Sequence, residues 1–380
     1  MGTQKDKSKL ENTIIRGEYN MENSIDKNLN EKELKGRNYL KETKPYVYEK
    51  ILKFEEKYKK GESIAIIQLQ YNYICNMRCQ HCSIERFQGA NSKRKLNPED
   101  VRRLSQQADE LGLARFVISG GEPTTFPDLD ELVKAIDPQK FYINCDSNGW
   151  LLEEKASHLK EIGIDRIQLS IDSLDAKEHD EFRRMEGAHA RALKGIDECQ
   201  RIGLPIYIQT VVTKERLYSN EFIEFLEYFN GRGLNVFVSY AKPVGAWEGH
   251  FDNLINKEDM EYMKQLEKKY NVSTHLTPGY GLDMGCIAVK GMISVTEYGD
   301  GLPCPYIHTS IGNIFETPLK NIIQTGLNIK HFGEHRDTCL IAEDLGFIKK
   351  YVERRIYNKP LPVQYTEVFT SEDYISNDVK

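Results

Sequence analysis

Apolar positions change period from one stretch of the chain to the next. Short runs at 64–72, 114–119, 140–147, 165–172, 205–212 and 234–241 are strand-like, either continuously apolar or alternating with polar residues. Near 98–111, 127–136, 151–162, 190–202 and 219–230 the apolar residues recur every three or four positions, which puts them on one face of a helix. Val101, Leu104, Ala108 and Leu111 make such a stripe. Ahead of it, Asn97-Pro98 combines a capping side chain with proline at the first helical position. Gly112, Gly163 and Gly203 stand just past predicted helix ends, where a left-handed residue is needed. Six repeats of strand and helix predict an α/β chain of βα units around a parallel sheet.

The strand faces refine that prediction. In 165–172, Ile167, Leu169 and Ile171 alternate with Gln168, Ser170 and Asp172. In 64–72, Ile67, Leu69 and Tyr71 alternate with Gln68, Gln70 and Asn72. Parallel strands covered by helices on both faces usually read apolar throughout. A polar face repeated on several strands instead predicts a sheet curled around a polar lumen, a partial (β/α)6 TIM-like barrel. Parallel barrels carry their chemistry at the carboxyl ends of the strands. A cysteine-rich loop, Gly120–Pro123, Ser147-Asn148-Gly149, Ser170–Asp172 and Gln209–Val212 all fall there and predict one site on one rim.

The flanks read differently. Residues 1–62 are polar and Lys/Glu-rich; the stretch to about Asn30 is expected to be disordered. Positions after Pro45 recur at helical spacing and predict a helix that covers the barrel. The resulting division is an N-terminal segment 1–62, a core 63–250, a small module 251–345 opening with a helix, and a terminal helix and tail 346–380. A net charge of −6 argues against a general nucleic-acid binder. No apolar run approaches the ~18 residues of a transmembrane helix, and the N-terminus has no apolar stretch of the secretory kind. Eight cysteines in such a chain point to metal rather than disulfides and to a reducing, cytoplasmic setting.

Those cysteines bring in the chemistry. Cys75-Asn-Met-Arg-Cys79-Gln-His-Cys82 sets three thiols on one loop just after the first strand. Thiolates at this spacing suit an iron–sulfur cubane, which normally takes four; with three, one iron stays open to a small molecule. A Cys₃His zinc site using His81 is the alternative, although His81 adjoins Cys82 and its ring would tend to point elsewhere. Gly120 and Gly121 let backbone approach a ligand closely, and Glu122 can accept from an ammonium group. Cys199 sits on a helical apolar stripe with Ile196 and is expected in the core. Cys145, two residues before Ser147, is expected on the lumen face, as a hydrogen donor to a substrate radical or as an inert buried thiol.

The three-cysteine loop followed about forty residues later by Gly120-Gly121-Glu122-Pro123 resembles the radical S-adenosylmethionine (SAM) superfamily. The resemblance implies a [4Fe-4S] cluster on Cys75, Cys79 and Cys82 whose open iron is chelated by SAM. One electron from the reduced cluster would cleave SAM to a 5′-deoxyadenosyl radical that abstracts hydrogen from substrate. Gly120, Gly121, Glu122 and Pro123 would face the SAM amino group, and His81 occupies the position of an aromatic that packs on adenine. Ser147-Asn148-Gly149 is similar to the family's Thr-Asn-Gly turn. Ser170, Asp172 and Arg183 resemble its Ser-x-Asp and His-Asp-x-x-Arg segments, with Ser and Arg on the SAM carboxylate. Further on, Cys286, Gly299, Cys304-Pro305 and Cys339 resemble the SPASM and Twitch auxiliary-cluster modules, with a hairpin over 293–304. Three thiols are fewer than a full module has, so at most one auxiliary [4Fe-4S] cluster is implied. Its fourth ligand would be His335, Asp337, Asp344 or a substrate atom; zinc or no metal is the alternative.

The expected activity is radical SAM oxidation, or other modification, of a small polar metabolite such as a sugar or aminocyclitol. A ribosomal-peptide maturase (epimerase or cross-linking enzyme) acting on a short peptide is the second expectation, and a non-catalytic iron–sulfur or zinc protein the third. The expected electron donor is of the flavodoxin or ferredoxin type, with no nucleic-acid or membrane partner.

Overall fold

The predicted strands form in a computed structural model that describes residues 31–87 and 93–375. Strands β1 (Ile66–Asn72), β2 (Arg115–Gly120), β3 (Tyr142–Ser147), β4 (Arg166–Ser170), β5 (Ile206–Val212) and β6 (Asn235–Tyr240) lie side by side in chain order, all parallel. The helices between them run close to the predicted bounds, from Pro98–Glu110 to Asn220–Gly231. Asn97 caps the first with a full capping box. Gly163 and Gly203 close two others at φ of 106° and 65°.

The sheet does not stop at six strands. β7 (Val272–Thr274) adds in parallel beyond β6, and β8 (Met292–Val295) adds in parallel beside β1. β9 (Gly301–Leu302) returns antiparallel to β8, making nine strands in all. The hairpin expected over 293–304 is thus real, but its first strand is built into the barrel sheet rather than standing in a separate module. These added strands have four residues or fewer, too few to establish a period in the sequence.

Alternation sorts the strand residues as expected. Gln68, Asp146, Gln168 and Gln209 face a central cavity, while Ile67, Ile118, Ile143, Leu169, Ile208 and Val236 are buried in the apolar layer under the helices. Cys145 belongs to that second set: it is buried in the apolar core, and its neighbours Asn144 and Asp146 line the lumen instead. The inference from Ser147 fails because Ser147 ends its strand. It is still paired with Leu169, but as the last residue of the ladder its Oγ turns to Glu122 against the strand's alternation.

The N-terminal segment closes the amino ends of the strands. The helix predicted after Pro45 runs Pro45–Leu52 and is preceded by Glu31–Thr43. Val47, Ile51 and Phe54 pack with Ile64, Ala114 and Tyr142. Lys44 Nζ donates to the carbonyls of Pro138 (2.8 Å) and Phe141 (2.9 Å) and pairs with Asp165. The disorder expected before Asn30 lies outside the described residues. At the other end, helical backbone runs unbroken over 345–355, and the tail after it includes Val363–Gln364, which pairs in parallel with Thr309–Ser310. No described helix is long and apolar enough to cross a membrane.

Candidate active site

The loop after β1 is fastened to its surroundings mainly through backbone. Gly121 N donates to Asn72 O and Glu122 N to Ile74 O, both at 2.8 Å. A Cβ on Gly121 would stand 1.8 Å from Ile74 O, so only glycine lets the end of β2 lie under the cysteine loop. On the other side, Ala246 N donates to Cys82 O at 2.9 Å, and a Cβ on Gly245 would meet that oxygen at 2.2 Å. Within the loop, Met77 N donates to Cys75 Sγ (3.4 Å) and Arg183 Nη1 to Cys79 Sγ (3.8 Å). Cys75, Cys79 and Cys82 all line one cavity of about 480 Å³. Burial pushes the Cys82 thiol up to about 11, so at neutral pH it ionises only when metal takes the proton's place.

The rim segments meet at the same cavity, but two carboxylates are committed elsewhere. Glu122 is 1% exposed. Its Oε1 accepts from Thr124 N, Thr124 Oγ1 and Ser147 Oγ, and its Oε2 from Asn148 N at 2.6 Å. With that many donors the carboxylate ties the Gly-Gly-Glu-Pro turn to the end of β3 and has little capacity left for an ammonium group. Asp172 does not line the cavity. Its Oδ2 accepts from Arg183 Nε (2.7 Å) and Nη2 (2.6 Å), and its Oδ1 from Val211 N (3.0 Å). Burial would raise this carboxyl, but the Arg183 charge outweighs it and holds it near about 2. Pro123 is likewise buried off the cavity, whereas Gly120, Gly121, Glu122, Ser147, Asn148, Ser170 and Arg183 line it.

His81 faces the cavity as an aromatic surface. Its ring stacks on Phe182 (centroids 4.5 Å, planes within 6°) and meets Trp247 at 5.8 Å. Burial, helped by the Arg183 charge, lowers it to about 3, so it is neutral.

The distant cysteines arrive at this cavity too. Cys286, Cys304 and Cys339 line it together with the first three. Cys286 N donates to Arg336 O (2.7 Å), and Cys339 N to Glu343 Oε2 (2.7 Å). Of the side chains considered as a fourth ligand, His335 and Asp337 are paired with each other at 2.7 Å and Asp344 caps Phe347 N; none lines the cavity. Among the described residues, no three His, Cys, Asp or Glu side chains close on a single metal ion.

Several cavity residues escaped sequence reasoning, Lys242 and Trp247 among them. Lys242, just past β6, is buried in the cavity wall with Nζ donating to Ser239 Oγ (3.0 Å) and Tyr240 O (2.7 Å), 4.1 Å from the Tyr306 ring centroid. Burial lowers it to about 8, while Cys339 and Cys304 pull it back up. A lone lysine inside the apolar run 236–244 was the available hint.

Comparison with known proteins fits this arrangement. A family profile described as the Radical SAM superfamily matches residues 69–237. The AdoMet-dependent heme synthase of Methanosarcina barkeri is 27% identical over 298 residues, 69% of this chain and 82% of that protein. A probable GTP 3′,8-cyclase of Saccharolobus solfataricus is 30% identical over 237 residues, 60% of this chain and 74% of that one. The chain belongs to the radical SAM superfamily. Among solved structures, Streptococcus suis SuiB bound to precursor peptide SuiA shares the fold at TM-score 0.54 and 22% identity, covering 73% of this chain and 68% of that one. Radical SAM membership makes the chain an enzyme and implies a 4Fe-4S cluster and SAM. The donor set fits them: three thiols on one loop, on the wall of a cavity that the Gly120-Gly121 backbone also lines.

Proposed function

We propose that this radical SAM enzyme oxidises a small polar metabolite, using a catalytic cluster on Cys75, Cys79 and Cys82 and an auxiliary 4Fe-4S cluster of the Twitch kind on Cys286, Cys304 and Cys339. The observation that carries the reading is that both cysteine sets line one cavity. A second centre there has a use: a substrate that has lost a hydrogen atom must still lose an electron to become an oxidised product. When bound, the reduced cluster and SAM supply radical hydrogen abstraction.

The chain's own residues bind and orient. Gly120, Gly121 and Asn148 offer SAM close polar backbone and amide groups, and Ser147 and Ser170 border the same space. Glu122 fastens that turn. Arg183 faces the SAM carboxylate, and Asp172 is a positioning residue that fixes the guanidinium plane by two N–H contacts. His81 and Trp247 form the aromatic wall for adenine. The N-terminal helices and the 276–291 segment exclude water from the lumen. The electron enters from a flavodoxin- or ferredoxin-type donor in the cytoplasm.

The test is anaerobic reconstitution and reduction. Release of 5′-deoxyadenosine from SAM and about eight irons per chain are expected. No 5′-deoxyadenosine would overturn the catalytic site, and about four irons the auxiliary one.

A further inference from the structure

The floor of the lumen carries charge that the chemistry above leaves unused. Arg115 on β2 and Arg166 on β4 both line the cavity near the amino ends of their strands, with Asn144 of β3 between them. The Arg115 guanidinium stands 5.2 Å from the Tyr142 ring centroid and 5.1 Å from that of Tyr280. Arg166 stands 5.9 Å from Tyr142 and 4.2 Å from Tyr207, so the two cations flank one ring. The Nε of each arginine and Asn144 Oδ1 are buried without a hydrogen-bond partner.

Neighbouring carboxylates do not neutralise this pair. Asp165 feels the Arg115 charge but is held by Lys44 and by Ile143 N (2.7 Å). Asp146, one lumen layer above Asn144, feels the Arg166 charge but forms no ion pair with it among the described residues, and its own Oδ1 lacks a partner. Asp146 is also engaged by Ser119 and Gln68, so among the described residues neither guanidinium forms an ion pair. Contact with ring faces offsets only part of the cost of secluding a cation. A guanidinium fork matches the paired oxygens of a carboxylate or phosphate.

We propose that Arg115 and Arg166 form an acid-binding floor, so that the substrate of the reaction proposed above is a small molecule with a terminal carboxylate or phosphate. The inference rests on that reading, because it takes the opposite rim to be the SAM site. Arg115 and Ser119 are four residues apart on β2, about 13 Å along a strand. An acid anchored at the floor therefore presents the other end of a metabolite-sized body to the rim. Asn144 Oδ1 accepts a hydroxyl or N–H next to the acid group, and the Tyr142 and Tyr207 rings keep the arginine planes in place.

The experiment titrates the reconstituted full-length enzyme by calorimetry with inorganic phosphate and, separately, with glutarate, at constant ionic strength in chloride. Saturable binding of one of them is expected: phosphate alone assigns a phosphoryl group, glutarate alone a carboxylate, and both leave the shared acid site standing. Arg115→Gln and Arg166→Gln should each weaken it by about tenfold or more. Arg115→Lys and Arg166→Lys, which keep the charge and lose the fork, should fall between, and they carry the test if a glutamine variant does not fold. Wild-type protein that binds neither anion, or variants that bind as wild type does, overturn the floor. SAM cleavage by the wild-type preparation is read alongside. Its absence with anion binding intact overturns the rim reading alone, and its presence without anion binding overturns the floor alone.

Discussion

The two cysteine sets line the same cavity but are built in opposite ways. Cys75, Cys79 and Cys82 sit within eight residues of one loop, clamped by backbone hydrogen bonds from the ends of β2 and β6. Cys286, Cys304 and Cys339 come from three segments spread over more than fifty residues, brought together by the β8–β9 hairpin and a contact from Cys286 N to Arg336 O. A compact set depends on one loop and can be recognised in sequence; a dispersed set depends on the whole carboxyl-terminal third folding first. The first suits a centre that must present an open face to SAM. Under the proposed function, the second would hold the centre that receives an electron.

That contrast can be broken outright. Cys79→Ala should reduce 5′-deoxyadenosine release to below detection and leave about four irons per chain; a variant that still cleaves SAM would refute the assignment. Cys304→Ala should also leave about four irons, yet keep SAM cleavage and lose only the oxidised product. If both variants fail in the same way, the two sets do not have separate roles.

Stability measurements sharpen it. Gly121→Ala drives a Cβ into Ile74 O and should cost about 3 kcal/mol or more in denaturant unfolding. Gly299→Ala, at φ 80° in the hairpin turn with Asn313 Oδ1 and Phe315 2.9 Å from the added Cβ, should cost about 1–2 kcal/mol. Equal costs would mean that the cysteine loop is no more tightly seated than the hairpin. The Asp172–Arg183 pair predicts a pH effect. With the carboxyl near about 2 in the folded protein and about 3.9 unfolded, the pair stabilises above about pH 4. Some 2 kcal/mol of that is lost as pH falls toward about 2. Asp172→Asn should lack this acid-sensitive component, and a wild-type profile parallel to the variant's would remove it. Smallest of all, Cys145→Ala should cost about 1 kcal/mol and leave turnover unchanged, because the thiol faces helices rather than the lumen.

Local chemistry made much of this legible without a structure. Period-two and helical patterns located all six core strands and five of the helices between them, since each element's burial is written in its own spacing. They missed the short helix Ala176–Arg183 that carries Arg183. The cysteine loop and Gly-Gly-Glu-Pro were visible because their function needs neighbours in the chain. Reading polar faces on β1 and β4 also foretold a polar lumen. Decisions that depend on partners distant in sequence were made only by the fold. Glu122 and Asp172 had the right residue type for ligand contacts, but Ser147, Asn148 and Arg183 claim their oxygens. Cys145 changed faces because a strand end does not keep its parity. Lys242, Arg115 and Arg166 gained meaning only once strands far apart in the chain met around one cavity. A pattern along the chain specifies which side of an element is buried; what it is buried against depends on closure of the sheet, and that is set by contacts no local period records.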